Sequence, residues 1–249
     1  MTEGRMRQLQ KKLALLVLGG IMMASTVVSA HPIRTPEGNM PMVHVAVVES
    51  TPGDMGKMIE IAARTVGPVA AKEPGTYALY GGIDAQHPDI MRLVEIYESY
   101  EAYRIHASSE AFQAYRAERL PILKNLKIVE VNAIVLEQKA KGTGTFVLTN
   151  RYVVRPERLA EYQKAVSAEA VRAVRDDDGV MGIFVTAEHD APNVMHTMGI
   201  FRDEAAYRSY VESPAYGEYL KSLSSIFTEA RESANLPTRI ELSTKGLQK

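Results

Sequence analysis

Histidine is the side-chain type in this sequence that could move protons near neutral pH, because the chain has six histidines and no cysteine. The lack of cysteine also excludes thiolate nucleophiles, thiolate metal sites and disulfides. His44, His87 and His189 show none of the spacings typical of metal ligands, so no bound metal is predicted. A histidine in an apolar pocket could act as a general base, and His106 is one candidate among the six. Ala102, one helical turn earlier on the same predicted face, would leave space beside its ring.

The elements that must position His106 occur twice in the chain. Residues 75–115 align with residues 179–219 at a constant offset of 104 residues and without a gap. The identical pairs are Gly75/Gly179, Pro88/Pro192, Met91/Met195, Ile96/Ile200, Ala102/Ala206, Tyr103/Tyr207, Arg104/Arg208, Ser109/Ser213, Ala111/Ala215 and Tyr115/Tyr219. A period of this length has the size of a small domain and is too long for a solenoid repeat. The sequence therefore predicts two tandem domains, at residues 43–138 and 146–245.

Each copy predicts the element order β-α-β-β-α-α-β. The β-branched and apolar runs predict strands at residues 43–47, 76–82, 90–97 and 126–136 in the first copy, and at 146–154 and 240–242 in the second. The predicted helix N-caps are Asp54, Ser99, Ser109, Asp203 and Ser213. This is a split, ferredoxin-like order of the α+β class, in which helices cover one side of an antiparallel sheet.

The other side of each sheet must also be buried. In residues 90–97, Leu93 and Tyr97 point to one face while Val94 and Ile96 point to the other, so both faces are apolar. Two such sheets packed against each other within one chain would bury these faces. The sequence therefore predicts a single-chain α/β barrel, an intrachain pseudo-dimer, and leaves further homo-oligomers open.

Charge and the N-terminal segment limit the partners. A formal charge of −1 without a basic run argues against nucleic acid. Residues 1–30 combine a basic start, the apolar run 13–28 and the small residues Val28-Ser29-Ala30, which is typical of a signal peptide. Cleavage would give a mature chain that begins at His31, exported to the periplasm or secreted and free of the membrane. The alternative is an uncleaved N-terminal anchor.

Several stretches resemble one known family. The turn TPGD (VRPE in the second copy), then EPG-T-Y, LVEIYES and EAYRIHASSEAFQAY, are similar to the antibiotic biosynthesis monooxygenase domain of the dimeric α/β-barrel superfamily. The resemblance covers most of residues 43–138 and, more weakly, 146–245. It implies a ligand pocket between each sheet and its helices. It also implies members that oxidise quinols or polyphenols with O2 and no cofactor, and relatives that degrade heme.

The resemblance also implies a site. The family has a Glu on the third strand and a His on the following helix, and Glu95 and His106 occupy those positions. A hydroxylated aromatic that has lost a proton can itself reduce O2, so a base in an apolar pocket would suffice. Tyr77, Tyr97 and Tyr103 are predicted to line the substrate pocket. The alternative is that Glu95 and His106 form a structural pair between helix and sheet.

The second copy departs from this pattern. Gly199 replaces Glu95 and Tyr210 replaces His106, so one active domain and one structural domain are predicted. His196 is predicted to lie at the surface or beside a helix–sheet contact. Three functions compete: a cofactor-independent monooxygenase, a heme-degrading enzyme, and a non-catalytic module that binds a small ligand or a partner. The absence of tryptophan disfavours heme degradation, because the family resemblance there calls for a Trp near the heme.

Overall fold

A computed structural model describes residues 30–140, 144–224, 226–227, 232–236 and 238–241. Apart from Ala30, the predicted signal peptide lies outside the described residues, as do residues 242–245 of the second predicted domain. Within the described part of the chain, no helix is long and apolar enough to cross a membrane.

The first unit has the predicted order of elements, preceded by a short strand. Its elements are β1 (Ala30–Pro32), β2 (Met42–Ser50), α1 (Met55–Arg64), α2 (Val66–Ala70), β3 (Thr76–Ile83), β4 (Ile90–Tyr97), α3 (Tyr100–Ser108), α4 (Glu110–Arg119) and β5 (Leu123–Lys139). The single helix predicted between the first two strands is divided into α1 and α2 at Thr65. Pro68 has no N–H to offer the carbonyl of Arg64, so the α1 ladder cannot continue.

The second unit repeats the first. Its elements are β6 (Phe146–Val153), α5 (Leu159–Asp176), β7 (Val180–Glu188), β8 (Val194–Phe201), α6 (Glu204–Glu212), α7 (Pro214–Ser222), β9 (Glu232–Leu236) and β10 (Thr238–Glu241). A single 3₁₀ turn, Pro156–Arg158, precedes α5. Four of the predicted caps are confirmed: the side chains of Ser99, Ser109, Asp203 and Ser213 each accept a backbone N–H of the first turn. Asp54 was expected to do the same, but its carboxylate instead accepts the Thr51 hydroxyl at 2.6 Å.

The strands form one antiparallel sheet in the order β10-β3-β4-β2-β5-β7-β8-β6-β9, with β1 paired to β5. The strand β5 joins the two units: its residues 123–131 pair with β2 and its residues 131–138 pair with β7. The two ends of this strand order are β9, which pairs with β6 of the second unit, and β10, which pairs with β3 of the first unit. The strands β9 and β10 follow each other in the sequence. The sheet is thus closed through two shared strand segments, which confirms a single-chain barrel.

The barrel interior is one hydrophobic core built by both units. Val43, Val45, Ala78, Tyr80, Val94, Ile96, Val131 and Leu136 meet Val147, Met181, Phe184, Met198 and Ile200. Tyr80 and Phe184 occupy equivalent positions of the repeat and stack, with ring centroids 5.6 Å apart and planes inclined by 18°. The apolar inner faces predicted from the sequence are therefore buried against each other.

The outer layer consists of helices packed on each unit's sheet. A Cβ built on Gly75 would lie 2.5 Å from the Ala102 Cβ, and a Cβ on Gly179 would lie 2.5 Å from the Ala206 Cβ. The identical Gly and Ala positions of the repeat are therefore explained by one close contact between the loop before the second strand and the helix after the third. Ala102 was expected to leave space beside His106, and instead it packs against Gly75.

Candidate active site

His106 lies on α3, and its side chain is buried between this helix and the sheet of the first unit. It is 2% exposed, and its Nδ1 lies 2.6 Å from Oε2 of Glu73. Glu73 belongs to the loop between α2 and β3, and the same oxygen accepts the Thr76 hydroxyl at 2.7 Å. The contact of Gly75 with Ala102 brings this loop against α3. The carboxylate is therefore fixed by its own loop and presented to the imidazole.

Aromatic rings surround the imidazole. The ring centroids of Phe112 and Tyr97 lie 5.0 and 5.5 Å from that of His106. Tyr103 lies 5.4 Å from Tyr97 and 4.7 Å from the ring of His44, which it meets edge-on. These distances are those of favourable aromatic pairs. The imidazole is therefore packed against aromatic rings and shielded from solvent.

Glu95 lies close to these aromatic rings but forms no hydrogen bond with His106. Its Oε2 accepts the Tyr97 hydroxyl at 3.3 Å and lies 3.9 Å from Nδ1 of His44. Burial raises the pKa of Glu95, although the nearby His106 opposes part of that rise. The alternative of a structural pair between Glu95 and His106 is therefore not what the structure shows, because the carboxylate on the imidazole is that of Glu73.

His44 and Arg119 are further polar groups of this site. Burial lowers the pKa of His44, and its Nδ1 has no hydrogen-bond partner among the described residues. Arg119 is buried, donates to the Tyr115 hydroxyl at 3.2 Å and lies 4.5 Å above that ring. Its charge also opposes part of the rise in the pKa of Glu95. Neither role was predicted from the sequence, although the alternation of side chains along β2, which turns His44 toward the helices, was an available signal for His44.

The predicted lining residues separate into two groups. Tyr97 and Tyr103 lie at the site, whereas Tyr77 packs against the barrel interior and lines a pocket with Ile33 and Arg34. The register of β3 with β4 shifts just at Tyr77, between Thr76 and Ala78. Burial, followed by the charge of Glu98, raises the pKa of Tyr77 to about 12. The structure therefore does not bring Tyr77 to His106.

The equivalent space of the second unit contains a cavity of about 100 Å³. It is lined by Gly199, Tyr207, Tyr210, Tyr216, Tyr219 and Glu169, among others. The Tyr210 hydroxyl donates to Glu169 at 2.9 Å, and Arg172 donates two further bonds to the same carboxylate. Burial, followed by the charge of Glu169, raises the pKa of Tyr210 far above its usual range. This cavity offers tyrosine hydroxyls and no base of the His106 kind.

The location of His196 differs from the one predicted. It was predicted at the surface or beside a helix–sheet contact, but it lines the inside of the barrel with Nε2 2.9 Å from Glu188. In the described residues no group of three His, Asp or Glu side chains is arranged to hold a metal ion.

The fold and these two spaces define the class of protein. A ferredoxin-like unit that occurs twice and closes into one barrel is a dimeric α/β barrel whose halves are covalently joined. The chain belongs to the antibiotic biosynthesis monooxygenase family, whose model matches residues 41–118 and 145–222.

Solved structures support the fold. A candidate monooxygenase from Lactobacillus acidophilus and another from Fusobacterium nucleatum each have a TM-score of 0.74, with 18% identity over 84% of this chain and 98% of theirs. An anthrone oxidase-like protein has a TM-score of 0.56 and 13% identity, over 84% of this chain and 97% of its own. None of the curated proteins matches the sequence significantly. At such identities the similarity establishes the fold and leaves the reaction to be argued from the residues.

Proposed function

We propose that this protein is a cofactor-independent monooxygenase that oxidises a quinol or polyphenol-like aromatic with O2, in the first unit. The observation that carries the proposal is the contact between His106 and Glu73 at 2.6 Å inside a set of aromatic rings. A carboxylate on Nδ1 fixes the tautomer of an imidazole, leaves Nε2 to accept a proton, and stabilises the imidazolium that forms.

The reaction needs few protein groups. His106 removes the proton of a phenolic hydroxyl, and the electron-rich anion then transfers electrons to O2. One oxygen atom enters the substrate, and the other leaves as water with two hydrogens from the substrate. Both reducing electrons come from the aromatic compound, so the balance requires no cofactor. Exclusion of bulk water by Tyr97 and Phe112 protects the reactive anion.

Glu95 and Tyr103 have supporting roles in this proposal. The raised pKa of Glu95 keeps its carboxyl group closer to protonation at neutral pH than that of a free Glu, and a protonated carboxyl donates a hydrogen bond to a substrate oxygen. His106 is almost fully covered, so a substrate must displace one of its neighbours. Tyr103 is partly exposed at the same site, and we propose that its ring moves to admit the substrate.

Oxygen consumption with a panel of hydroquinones tests the proposal. Replacing His106 by Ala should reduce turnover by about 10²- to 10⁴-fold, the usual contribution of a general base. Tyr210→Phe is the matched control and should leave turnover unchanged, because its position in the second unit carries no base. Glu95→Gln should give an intermediate loss. If well-folded His106→Ala keeps full activity, the base assignment fails.

A second function is favoured by the cavity of the second unit. Its tyrosine-lined cavity of about 100 Å³ is well under the usual range for small-molecule pockets, so it has room only for a very small, mostly apolar ligand held by hydroxyl groups. If the unmodified protein consumes no oxygen with any hydroquinone, non-catalytic binding at this cavity replaces the monooxygenase proposal.

We further propose that the protein is exported after removal of residues 1–30, on the basis of the basic, apolar and small-residue segments described above. N-terminal sequencing of the protein recovered from its exporting host should give His31. Recovery of Met1 in the mature material would argue for an anchor.

A further inference from the structure

One end of the barrel interior contains a layer of mostly polar side chains contributed by both units. Strand pairing places Val47 between Arg92 and Lys127 in the first unit. In the second unit it places His196 between Arg151 and Thr186. All six residues line one cavity of about 240 Å³ inside the barrel, here named the barrel-end cavity.

The next layer inward is mostly apolar. Val45 lies between Val94 and Val129, and Met198 lies between Phe184 and Thr149. These six residues line the same cavity. Because side chains of a strand alternate between faces, this cavity lies on the opposite side of the sheet from Glu95 and the candidate active site. The barrel-end cavity therefore has a polar rim and an apolar floor.

Two polar atoms at this cavity lack a partner. Thr186 is 2% exposed, and its hydroxyl has no hydrogen-bond partner among the described residues. The buried Nε of Arg92 also has none. Buried polar groups are nearly always hydrogen-bonded, and an unmade bond costs about 1–3 kcal/mol. The Arg92 Nε can only donate and the Thr186 hydroxyl can also donate, so a hydrogen-bond acceptor would satisfy both atoms.

The local charge favours an anion as that acceptor. Arg92, Lys127 and Arg151 contribute three positive charges to the rim. Glu188 bonds Arg151 at 3.2 Å and His196 at 2.9 Å, and Asp84 lies 3.6 Å from Arg92. Burial lowers the pKa of His196; the bond to Glu188 opposes part of that fall, and the charges of Arg151 and Lys127 add to it, so the neutral form is favoured. Among the residues whose side chains the structure describes, three cations against two carboxylates leave the rim positive.

We propose that the barrel-end cavity binds a small organic anion, namely a carboxylate carried on an apolar body. The carboxylate accepts from Arg92, Thr186 and Lys127, while the body packs against the valines and Phe184 below them. The volume is slightly under the usual range for small-molecule pockets, so the ligand is small. Because each unit supplies half of the wall, binding holds the two units together and stabilises the barrel.

Benzoate and its neutral isostere benzamide are suitable probes, with titration calorimetry and the thermal midpoint as readouts. Benzoate should bind and raise the thermal midpoint of the intact protein, and benzamide should bind at least about 10-fold more weakly, as expected for loss of a charged hydrogen-bond acceptor. Inorganic phosphate should bind more weakly than benzoate, because it cannot use the apolar floor.

Three variants locate the site. Arg92→Met, Lys127→Met and Thr186→Val should each weaken benzoate binding, by about 10-fold for the two cations. Arg104→Met is the matched control, because Arg104 is exposed on α3 and pairs with Glu101. His106→Ala should also leave the affinity unchanged, which separates this site from the proposed active site. Lys127 is exposed, so its replacement should leave the fold intact.

Three outcomes would overturn the proposal. The first is that benzoate does not bind at millimolar concentration. The second is that benzamide binds as tightly as benzoate, which would remove the role of the charge. The third is that Arg92→Met and Lys127→Met both bind benzoate like the unmodified protein. Phosphate binding as tight as that of benzoate would overturn the apolar part of the ligand.

Discussion

Between sheet and helices the first unit carries His44, Glu95 and His106, whereas the equivalent positions of the second unit carry Leu148, Gly199 and Tyr210. The scaffold around them is the same, including the glycine–alanine contact and the helix caps. Duplication has therefore kept the residues that hold loop against helix and changed those that face the enclosed space.

The two units also supply different hydrogen-bond partners to the same buried position of the helix that follows the third strand. In the first unit His106 meets a carboxylate from the loop before β3, and in the second Tyr210 meets Glu169 from α5. The residue equivalent to Glu73 is Asp177, which instead accepts the backbone N–H of Gly179 at 2.8 Å. A buried polar side chain requires a partner, but the element that supplies it is free to change.

The largest effect expected from this comparison concerns Glu73 and Asp177. Glu73→Gln removes the charge that stabilises a protonated His106, and a hydrogen bond to a charged group is worth about 1.5–3 kcal/mol. Turnover of a hydroquinone should fall by about 10- to 150-fold. Asp177→Asn should leave turnover unchanged, because Asp177 bonds the loop of the second unit and not His106. Equal losses in the two variants would contradict the assignment of chemistry to the first unit.

The next effect concerns what the two units share. Gly75→Ala and Gly179→Ala each place a Cβ 2.5 Å from an alanine Cβ, so each should lower the free energy of unfolding by about 1–3 kcal/mol in denaturant titrations. Combining Gly75→Ala with Ala102→Gly should restore most of the loss. Gly56→Ala is the control: its Cβ meets nothing within 4 Å, and it should stabilise α1. A loss in only one unit would show that the scaffolds differ.

A smaller effect concerns pH. Burial lowers the pKa of His44 below its ordinary value of 6.5, so below that pH the unfolded chain binds more protons than the folded one. Stability from this group is complete above about pH 6.5 and is lost as the pH falls toward the folded pKa, by up to about 1.4 kcal/mol per pH unit. His44→Leu, the residue of the second unit, should weaken this decline. Identical pH profiles for the two proteins would contradict the burial of a neutral His44.

Local features of the sequence predicted much of the fold. The alternation of Val43 to Val47 and the caps at Ser99 and Ser213 are set by neighbouring residues, and the repeat confirms each element twice. The break at Thr65 was also signalled locally, by Pro68. The full length of β5 was not, because residues 137–139 are strand only through their pairing with β1 and β7.

The candidate site was predictable only in part. Tyr97 lies at the end of β4, and Tyr103 and His106 lie on the helix that follows it. The order of these elements is enough to predict that the three side chains meet where the helix packs on the sheet. Glu73 could not be found in this way, because a turn residue reaches His106 only after the loop packs on α3. The inward direction of His196 depends on barrel closure and likewise required the tertiary structure.

The smallest expected effect concerns the cavity of the second unit. Val211 on α6 lines that cavity, so Val211→Leu adds one methylene where space exists. Burying one methylene contributes about 0.8 kcal/mol, and leucine also favours a helix slightly more than valine does. The free energy of unfolding should therefore rise, by about 1 kcal/mol or less, in a denaturant titration.

Val171→Leu separates the two contributions to that gain. Val171 lies on α5 and is 38% exposed, so the same substitution there adds helix propensity without filling the cavity. The gain at Val211 should exceed the gain at Val171, because only the former removes empty volume. Equal gains would mean that the tyrosines already close the cavity. The second unit would then be as tightly filled as the first, and the contrast between the two spaces would reduce to the chemistry of His106 and Tyr210.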